Sequence, residues 1–408
     1  MQVAADRMQG DALLTLNPGS STIKFGLFAV HEGALTARAR AAIDLRHAPL
    51  VLQIDEGDQR SEFTLAAPAT DDLHAAVKET LDRLLGHCEV SRLSAAAHRV
   101  VHGGDRFGGP VRLTDDAVAG IAALSALAPL HQPQSLRLIR AMRHLQPDLP
   151  QTASFDTAFH RTQSTLVRRF ALPRALFDEG VKRYGFHGLS YQSIVSQLQR
   201  DAPEFARGRI VVAHLGSGCS LCGMDAGESR DTSMAFSTLD GIPMATRPGA
   251  LDPGVLLHLL QARGMTPDAL QDLLYHRSGL LGVSGISADS RVLAASAAPE
   301  AREALDLFAL RTAREIAAIA TTLGGLDGIV FTGGIGEHQA RVRAAIAGHL
   351  HWLGARVDAG ANAQANAAHA PRIDSPDSRI VLRVMATDEE QVMAEEACQV
   401  LALPPSQH

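Results

Sequence analysis

The chain has 408 residues, 46% of them hydrophobic and 20% charged, with a formal net charge of −6. That length suits two domains better than one ordinary core, while the acidic balance and an aromatic content of 4% speak against nucleic-acid partners, which need basic patches and stacking platforms. No run approaches the roughly 20 apolar residues of a membrane helix and the first ten residues carry no hydrophobic signal region, so the expectation is a cytoplasmic protein with no membrane partner.

Residues 13–30 read as a strand hairpin, and 34–66 as further strands broken at His47-Ala48-Pro49 and Glu56-Gly57-Asp58. Asp71 to Gly86 reads as a helix, with Asp71 or Asp72 as N-cap and Gly86 just past its end. Ala95 to Val101 is an apolar strand running into His102-Gly103-Gly104. Two helices follow, Thr114 to Leu127 with Thr114 as N-cap and Gln134 to Leu145, then a short strand and turn from Thr152 to Phe159. Arg209 to Met224 opens a second strand set, and a helix starts at Asp252-Pro253 and runs to about Arg263. In Ala301 to Leu323 the residues Leu305, Phe308, Thr312, Ile316, Ile319 and Leu323 recur every three or four positions, and Gly324-Gly325 stops the helix. A strand at Asp327 to Thr332 enters a glycine turn, with a helical stretch from about Gln339 to Leu350. Ala359 to Ala370 reads as a loose surface segment, Ile380 to Met385 as a strand and Asp388 to Val400 as a terminal helix. This alternation of strands and helices defines an α/β protein, whose default ligand site is a cleft between its halves.

Two glycine-rich turns look like copies of one device. Asn17-Pro18-Gly19-Ser20-Ser21 joins apolar runs in the first hairpin, and Gly216-Ser217-Gly218 joins them in the second. Such turns let backbone N–H groups approach an anion closely. Neither has the G-x-x-x-x-G-K-[ST] pattern of a P-loop. A third cluster, Gly333-Gly334-Ile335-Gly336, follows a buried strand and suits a nucleotide lying across a helix N-terminus. The four cysteines, Cys88, Cys219, Cys222 and Cys398, read as small reduced hydrophobes. Cys219 and Cys222 form a lone C-x-x-C without the second pair a zinc site needs.

Polar clusters sit where strands end: His98-Arg99 and His102, Asp156, Arg183-Tyr184-Gly185-Phe186-His187-Gly188, Thr246-Arg247-Pro248-Gly249 and Asp388-Glu389-Glu390. Taken singly, each has a bland reading. Arginines at strand ends usually make surface ion pairs, histidines in turns are usually satisfied structurally, and carboxylates favour any helix N-terminus.

Taken together, the blocks Asn17-Pro18-Gly19-Ser20-Ser21-Thr22-Ile23-Lys24-Phe25, His98-Arg99-Val100-Val101-His102-Gly103-Gly104, Phe155-Asp156-Thr157, Arg183-Tyr184-Gly185-Phe186-His187-Gly188, His214-Leu215-Gly216, Leu251-Asp252-Pro253 and Phe331-Thr332-Gly333-Gly334-Ile335-Gly336-Glu337 resemble the acetate kinase family over nearly the whole chain. The resemblance implies a duplicated two-domain actin-like ATPase fold with ribonuclease H-like halves and the active site in the interdomain cleft. It places residues 1–155 plus 388–408 in an N-terminal domain with the acyl side, and 156–387 in a C-terminal domain that binds nucleotide and dimerises. It also implies ATP or ADP as co-substrate, magnesium with manganese as the alternative ion, acetate as acceptor, and a homodimer.

The chemistry implied is transfer of the ATP γ-phosphoryl group to a carboxylate. A carboxylate is ionised near neutral pH and needs no general base, so the task is to bring two anions together with cations and oriented donors. By the resemblance, Arg99 holds the carboxylate, Arg247 and His187 serve the moving phosphoryl group, and Asp156 orients an arginine or the metal's water. Asn17 and Glu389 place the metal. Lys24, with Ser20 and Ser21, shapes the first phosphate turn, and His131 is a positioning residue. His214, Gly216, Ser217, Gly218, Gly333, Gly334, Ile335 and Gly336 border the nucleotide, while Val101, Leu130, Phe186 and Thr238 wall the acyl pocket. The chain departs from the family pattern at Ser217, where Asn is usual, and at Thr238, where Pro is common. Asp105 stands for Glu, His338 for Asn, and Ala250 for an acidic residue. Bulky Val101 points to acetate over propionate, with a propionate or other short-chain acyl kinase as the alternative. A sugar kinase and a nucleotide-driven binding protein of the same fold are the more distant readings.

Overall fold

The computed structural model describes residues 12–19, 22–31, 34–45, 48–57, 59–68, 73–369 and 371–402. Ser20, Ser21, Asp71 and Asp72 lie outside the described residues. The chain forms two compact units, Met1–Ala158 with Asp388–His408, and Phe159–Thr387. The break thus falls after Ala158 rather than at 155/156. Asp156 belongs with the first unit because it follows directly on a strand of that unit's sheet and pairs with Arg99 there.

The first unit is built on eight strands: β1 (Ala12–Pro18), β2 (Thr22–His31), β3 (Ala34–Asp44), β4 (Val51–Glu56), β5 (Gln59–Thr64), β6 (Leu93–Val100), β7 (Val111–Arg112) and β8 (Gln151–Phe155). Their order is β5-β4-β3-β2-β1-β6-β8-β7. The second unit has five: β9 (Arg209–Leu215), β10 (Cys219–Asp225), β11 (Glu228–Thr232), β12 (Gly328–Thr332) and β13 (Val381–Val384), in the order β11-β10-β9-β12-β13. The core of the two sheets is one pattern used twice. In each, a central strand, β1 or β9, opens an antiparallel meander on one side, through β2 and β3 or β10 and β11, and has two strands parallel to it on the other, β6 and β8 or β12 and β13. The two Gly/Ser turns occupy the same place in both, between the central strand and its first antiparallel neighbour.

Central strands are apolar on both faces because helices cover both; β1 is buried at every residue from Ala12 to Pro18. The terminal helix Glu389–Leu401 packs on β1, β6 and β8, and the long helix Pro299–Leu323 packs on β9, β10 and β11. Gly324 ends that long helix in the left-handed region, φ 69°, as a glycine stop should.

Three local expectations change. The helix His74–His87 has Leu73 at its N-cap with no side-chain cap, and it runs past Gly86 because the Cys88 N–H still bonds to the Leu84 carbonyl. The segment after Asp358 is not loose: Ala359–Ala363 is a helical turn, and buried Asn362 bonds to Arg343. The helix Gly188–Asp201 was not anticipated, because Gly188, Ser190 and Ser193 share its buried face and dilute the apolar stripe.

Burial also sets an acid limit on stability. His98 and His160 are pushed down to about 4 by desolvation, against the weaker pull of the Gln151 side chain on the first and the Phe186 carbonyl on the second. Burial brings His102 to about 4 as well, opposed by Asp105. Each stays neutral in the fold while the unfolded chain takes up a proton below about 6.5. The stability they permit is therefore intact above pH ~6.5 and declines as the pH falls toward 4, by up to about 3 kcal/mol per histidine. Urea midpoints at pH 7.5 and 5 should differ accordingly, and His98→Asn should shrink the difference. An unchanged gap in that variant would remove His98 from the account.

Candidate active site

In the first unit the parallel strands β1, β6 and β8 end side by side, and the polar residues collect at that carboxyl edge, where open α/β sheets bind ligands. Asn17 is near the end of β1, Arg99 near the end of β6, and Asp156 just past β8. The Arg99 guanidinium donates to both Asp156 oxygens, Nε to Oδ1 at 2.9 Å and Nη2 to Oδ2 at 2.7 Å. Its Nη1 donates to Asn17 Oδ1 at 2.9 Å and lies 3.5 Å from Glu389 Oε2. Asn17 Nδ2 donates to Glu389 and to Glu390, both at 2.8 Å. A guanidinium only donates and a carboxylate only accepts, so these neighbours dictate which way the Asn17 amide points. Burial alone would lower the pKa of Arg99, but the charges of Asp156 and Glu389 more than reverse that and hold it above the ordinary arginine value.

Sequence reasoning missed Arg40, which pairs with Asp388 and, at 3.0 Å, with Glu390. It ties β3 to the first turn of the terminal helix, where Asp388 is the N-cap and accepts from the Gln391 N–H.

The second unit gathers its polar residues at the equivalent edge, around the Gly216–Gly218 turn. His187 precedes the helix Gly188–Asp201 in a left-handed conformation, φ 57°, which is costly for a non-glycine residue and typical of functional sites. His187 and His214 stack with ring centroids 4.4 Å apart. A methyl group on Gly218 would lie 3.5 Å from His187 Nε2 and 3.7 Å from Arg247 Nη1, so both groups converge on that glycine. Arg247 donates to the Thr238 carbonyl at 3.2 Å. Burial lowers its pKa, and among the described residues no carboxylate pairs with it. Its charge is therefore unspent, whereas that of Arg99 is engaged.

Gly333 packs against the backbone of Leu215, the residue before Gly216. Gly333 has φ 77°, and a Cβ there would sit 2.8 Å from the Leu215 carbonyl oxygen, so only glycine fits. The expected helix is present as Ala340–His349, and a short one, Gly333–His338, precedes it, in which the Gly333 N–H donates to the protein's own Glu337 carboxylate at 2.9 Å. This amide is therefore not open to phosphate, which corrects the picture of a bare helix end. Ile335 and Gly336 are buried and Gly334 is exposed. Arg343, also missed, is buried and holds the Gly336 and Glu337 carbonyls at 2.9 Å each.

The other anticipated residues are placed as follows. Lys24 faces Asn17 across the first hairpin, exposed and without a polar contact among the described residues. Ser217 is exposed, and its carbonyl accepts from the Ala245 N–H at 3.2 Å. Val101 is buried and Leu130 exposed in the first unit, while Phe186 and Thr238 are buried in the second. His131 is the N-cap residue of the helix Gln132–Leu145. The Cys219 thiol donates to the Gly216 carbonyl and is pushed up to about 12 by burial, which leaves it inert.

Because the Gly218 methyl would make only ordinary contacts, Gly218→Ala should fold normally and still put a carbon where His187 and Arg247 converge. The expected result is a loss of about 10²-fold in kcat/KM for the nucleotide that the family resemblance implies, the scale of one lost oriented donor. Full activity in a correctly folded variant would mean that nothing binds at that point.

The duplicated α/β fold thus carries an engaged arginine in one half and an unspent one in the other, and the class of protein, an ATP-using phosphotransferase, comes from its relatives. The chain matches the Acetokinase family over residues 12–395. It is 45% identical over 400 residues to an acetate kinase of Rhodopseudomonas palustris, covering 94% of this chain and 97% of that one. Among solved structures it superposes on a Francisella tularensis propionate kinase with a TM-score of 0.86, at 32% identity, covering 95% of this chain and 98% of that one. The Porphyromonas gingivalis acetate kinase gives 0.84 at 30%, with 96% and 100% covered. The chain belongs to the Acetokinase family.

Among the described residues no group of three or more His, Cys, Asp or Glu side chains forms a metal cage. Magnesium, the ion the family resemblance implies, keeps several waters and is held by one or two carboxylates beside substrate phosphates. Hard oxygen donors of this kind are present in Glu389 and Asn17. The Asn17 oxygen already accepts from Arg99, which fits contact through water better than direct ligation.

Proposed function

We propose that this protein is an acetate kinase, transferring the γ-phosphoryl group of ATP to acetate and giving acetyl phosphate and ADP, reversibly. One observation carries the choice of acceptor: both Asp156 oxygens accept from Arg99, at 2.9 and 2.7 Å. A carboxylate clamped in this way is a poor general base, which a sugar hydroxyl would need and a carboxylate acceptor does not.

In this reading Asp156 and Asn17 hold the Arg99 fork in place, and Arg99 binds the acetate carboxylate. His187 and Arg247 take oxygens of the transferring phosphoryl group, and His214 with Gly216, Ser217 and Gly218 borders the nucleotide phosphates. Gly333 to Gly336 border the adenosine, and Lys24 adds positive charge beside the first turn. Asn17 and Glu389 would hold magnesium, or manganese, through water; when bound, the ion neutralises phosphate charge. Val101, Leu130, Phe186 and Thr238 wall the acyl group. An activated acyl phosphate fits a step toward acetyl-CoA in the cytoplasm. The second unit exposes Leu251, Val255, Leu257, Val292 and Leu310, which supports a homodimer formed through that unit. No helix among the described residues is long and apolar enough to cross a membrane.

The test is hydroxylamine trapping of acyl phosphate with Mg-ATP and acetate, propionate or butyrate. Acetate should lead propionate by about tenfold in kcat/KM, since one methylene is worth roughly 10- to 200-fold. A propionate preference would overturn the pocket assignment and keep the transfer. ATP hydrolysis that ignores all three acids would overturn the kinase reading.

A further inference from the structure

The two stacked histidines are each held by a hydroxyl that the transfer chemistry above does not use. His187 Nδ1 lies 2.7 Å from Ser220 Oγ, and Tyr191 Oη lies 2.5 Å from the same oxygen. His214 Nδ1 lies 2.8 Å from Ser190 Oγ. The placement is built in at the backbone level. Ser220 stands directly opposite His214 in the β9–β10 ladder. Ser190 and Tyr191 come from the first turn of the helix that His187 caps, and the Tyr191 N–H bonds to the His187 carbonyl. Ser190, Tyr191 and Ser220 are buried.

Direction matters, because the nitrogen that accepts leaves the proton on the other. A phenol is far more acidic than an alkyl hydroxyl and is the better donor of the two; with Tyr191 donating to Ser220, the Ser220 proton can be directed at His187 Nδ1. The same unit contains a version whose direction is fixed independently. His160 Nε2 lies 2.9 Å from the Phe186 carbonyl, which only accepts, so its Nδ1 takes the proton of Ser229 at 2.9 Å. For His187 and His214 the remaining nitrogens face the turn: Nε2 of His187 lies 3.5 Å from where a Gly218 Cβ would be, and Nε2 of His214 lies 3.6 Å from that of Gly216.

We infer that Tyr191 and Ser220 are positioning residues that hold His187 as its Nε2–H tautomer, with Ser190 doing the same for His214. Two imidazole N–H donors are thereby aimed at the Gly216–Gly218 turn before any phosphate arrives. The purpose of the relay rests on the reading of His187 as a phosphoryl-facing group; its existence does not.

The experiment uses the full chain labelled with 15N-histidine, with the His187 signals identified by comparison with His187→Gln. At pH 8 the wild type should show His187 protonated on Nε2. Ser220→Ala should move the population toward Nδ1–H and lower kcat about tenfold, with KM for acetate and ATP within about twofold. Tyr191→Phe should act in the same direction by about threefold, and Ser220→Thr, which keeps the hydroxyl, should restore the wild-type tautomer. A wild-type proton on Nδ1, or a Ser220→Ala enzyme with tautomer and kcat unchanged, overturns the inference. A tautomer that shifts in Ser220→Ala while both that variant and His187→Gln keep full kcat supports the relay and overturns the role of His187 in transfer.

Discussion

Arg99→Ala is expected to lower kcat/KM for acetate by about 10³-fold and to lower folding stability by about 3–5 kcal/mol. Both effects come from one geometry. Asp156 is 1% exposed and has its charge answered by the Arg99 fork. Without the guanidinium, that carboxylate stays buried and loses both bonds of the fork that answers its charge, and Asn17 loses the donor to its amide oxygen. The two effects separate in the double variant Arg99→Ala with Asp156→Asn. Removing both charges should recover most of the stability, because a buried pair is worth little against a neutral replacement, and none of the activity, because nothing is left to hold acetate. Urea unfolding and hydroxylamine trapping on the three proteins supply the comparison. A double variant as unstable as the single one would show that the charge pair is not the source of the loss.

Arg247→Ala should cost a similar factor in activity, about 10³-fold, with a contrasting effect on the fold. Arg247 is partly desolvated without a carboxylate partner among the described residues, and its bonds are to the Thr238 carbonyl and the Met244 sulfur. Deleting an unpaired, desolvated charge removes a cost, so the variant should unfold within about 1 kcal/mol of the wild type or above it. The loss should fall mainly on kcat, since the phosphoryl group needs the extra cation most as charge moves in the transition state. Arg247→Ala with wild-type kcat and a raised KM for ATP would reassign this arginine to ground-state binding. The pair of variants thus distinguishes an arginine built into its unit from one held for a ligand.

How far the sequence reveals this depends on the distance between the groups concerned. Both hairpins are visible because each is local, a Gly/Ser turn between apolar runs, and the long helix is visible because its apolar residues repeat every three or four positions over Pro299–Leu323. The proximity of Asn17 and Glu389 is not readable from spacing at all; they are 372 positions apart and were joined only through the family resemblance. Arg40 carries no signal, since an arginine in an edge-side strand looks like any solvated residue until Glu390, 350 positions away, is set beside it. Glu337 had a readable signal, an acid four residues beyond Gly333 that can fold back on the turn, but the glycines drew attention to phosphate instead. The serine and tyrosine hydroxyls beside His187 and His214 stayed hidden because their role lies in direction and not in residue type.

The terminal helix completes the first unit with residues made after the whole of the second. β1, β6 and β8 leave the ribosome early, but the helix Glu389–Leu401 that covers them, and the carboxylates that meet Asn17 and Arg40, follow only after the whole of Phe159–Thr387. During synthesis the second unit is continuous in sequence and has all of its strands before the first unit can close. The nascent chain therefore has to keep an uncovered sheet face waiting through more than half of translation, and a stop codon shortly before Glu389 would strip Asn17 and Arg40 of their carboxylate partners while leaving Arg99, Asp156 and every residue of the second unit in place.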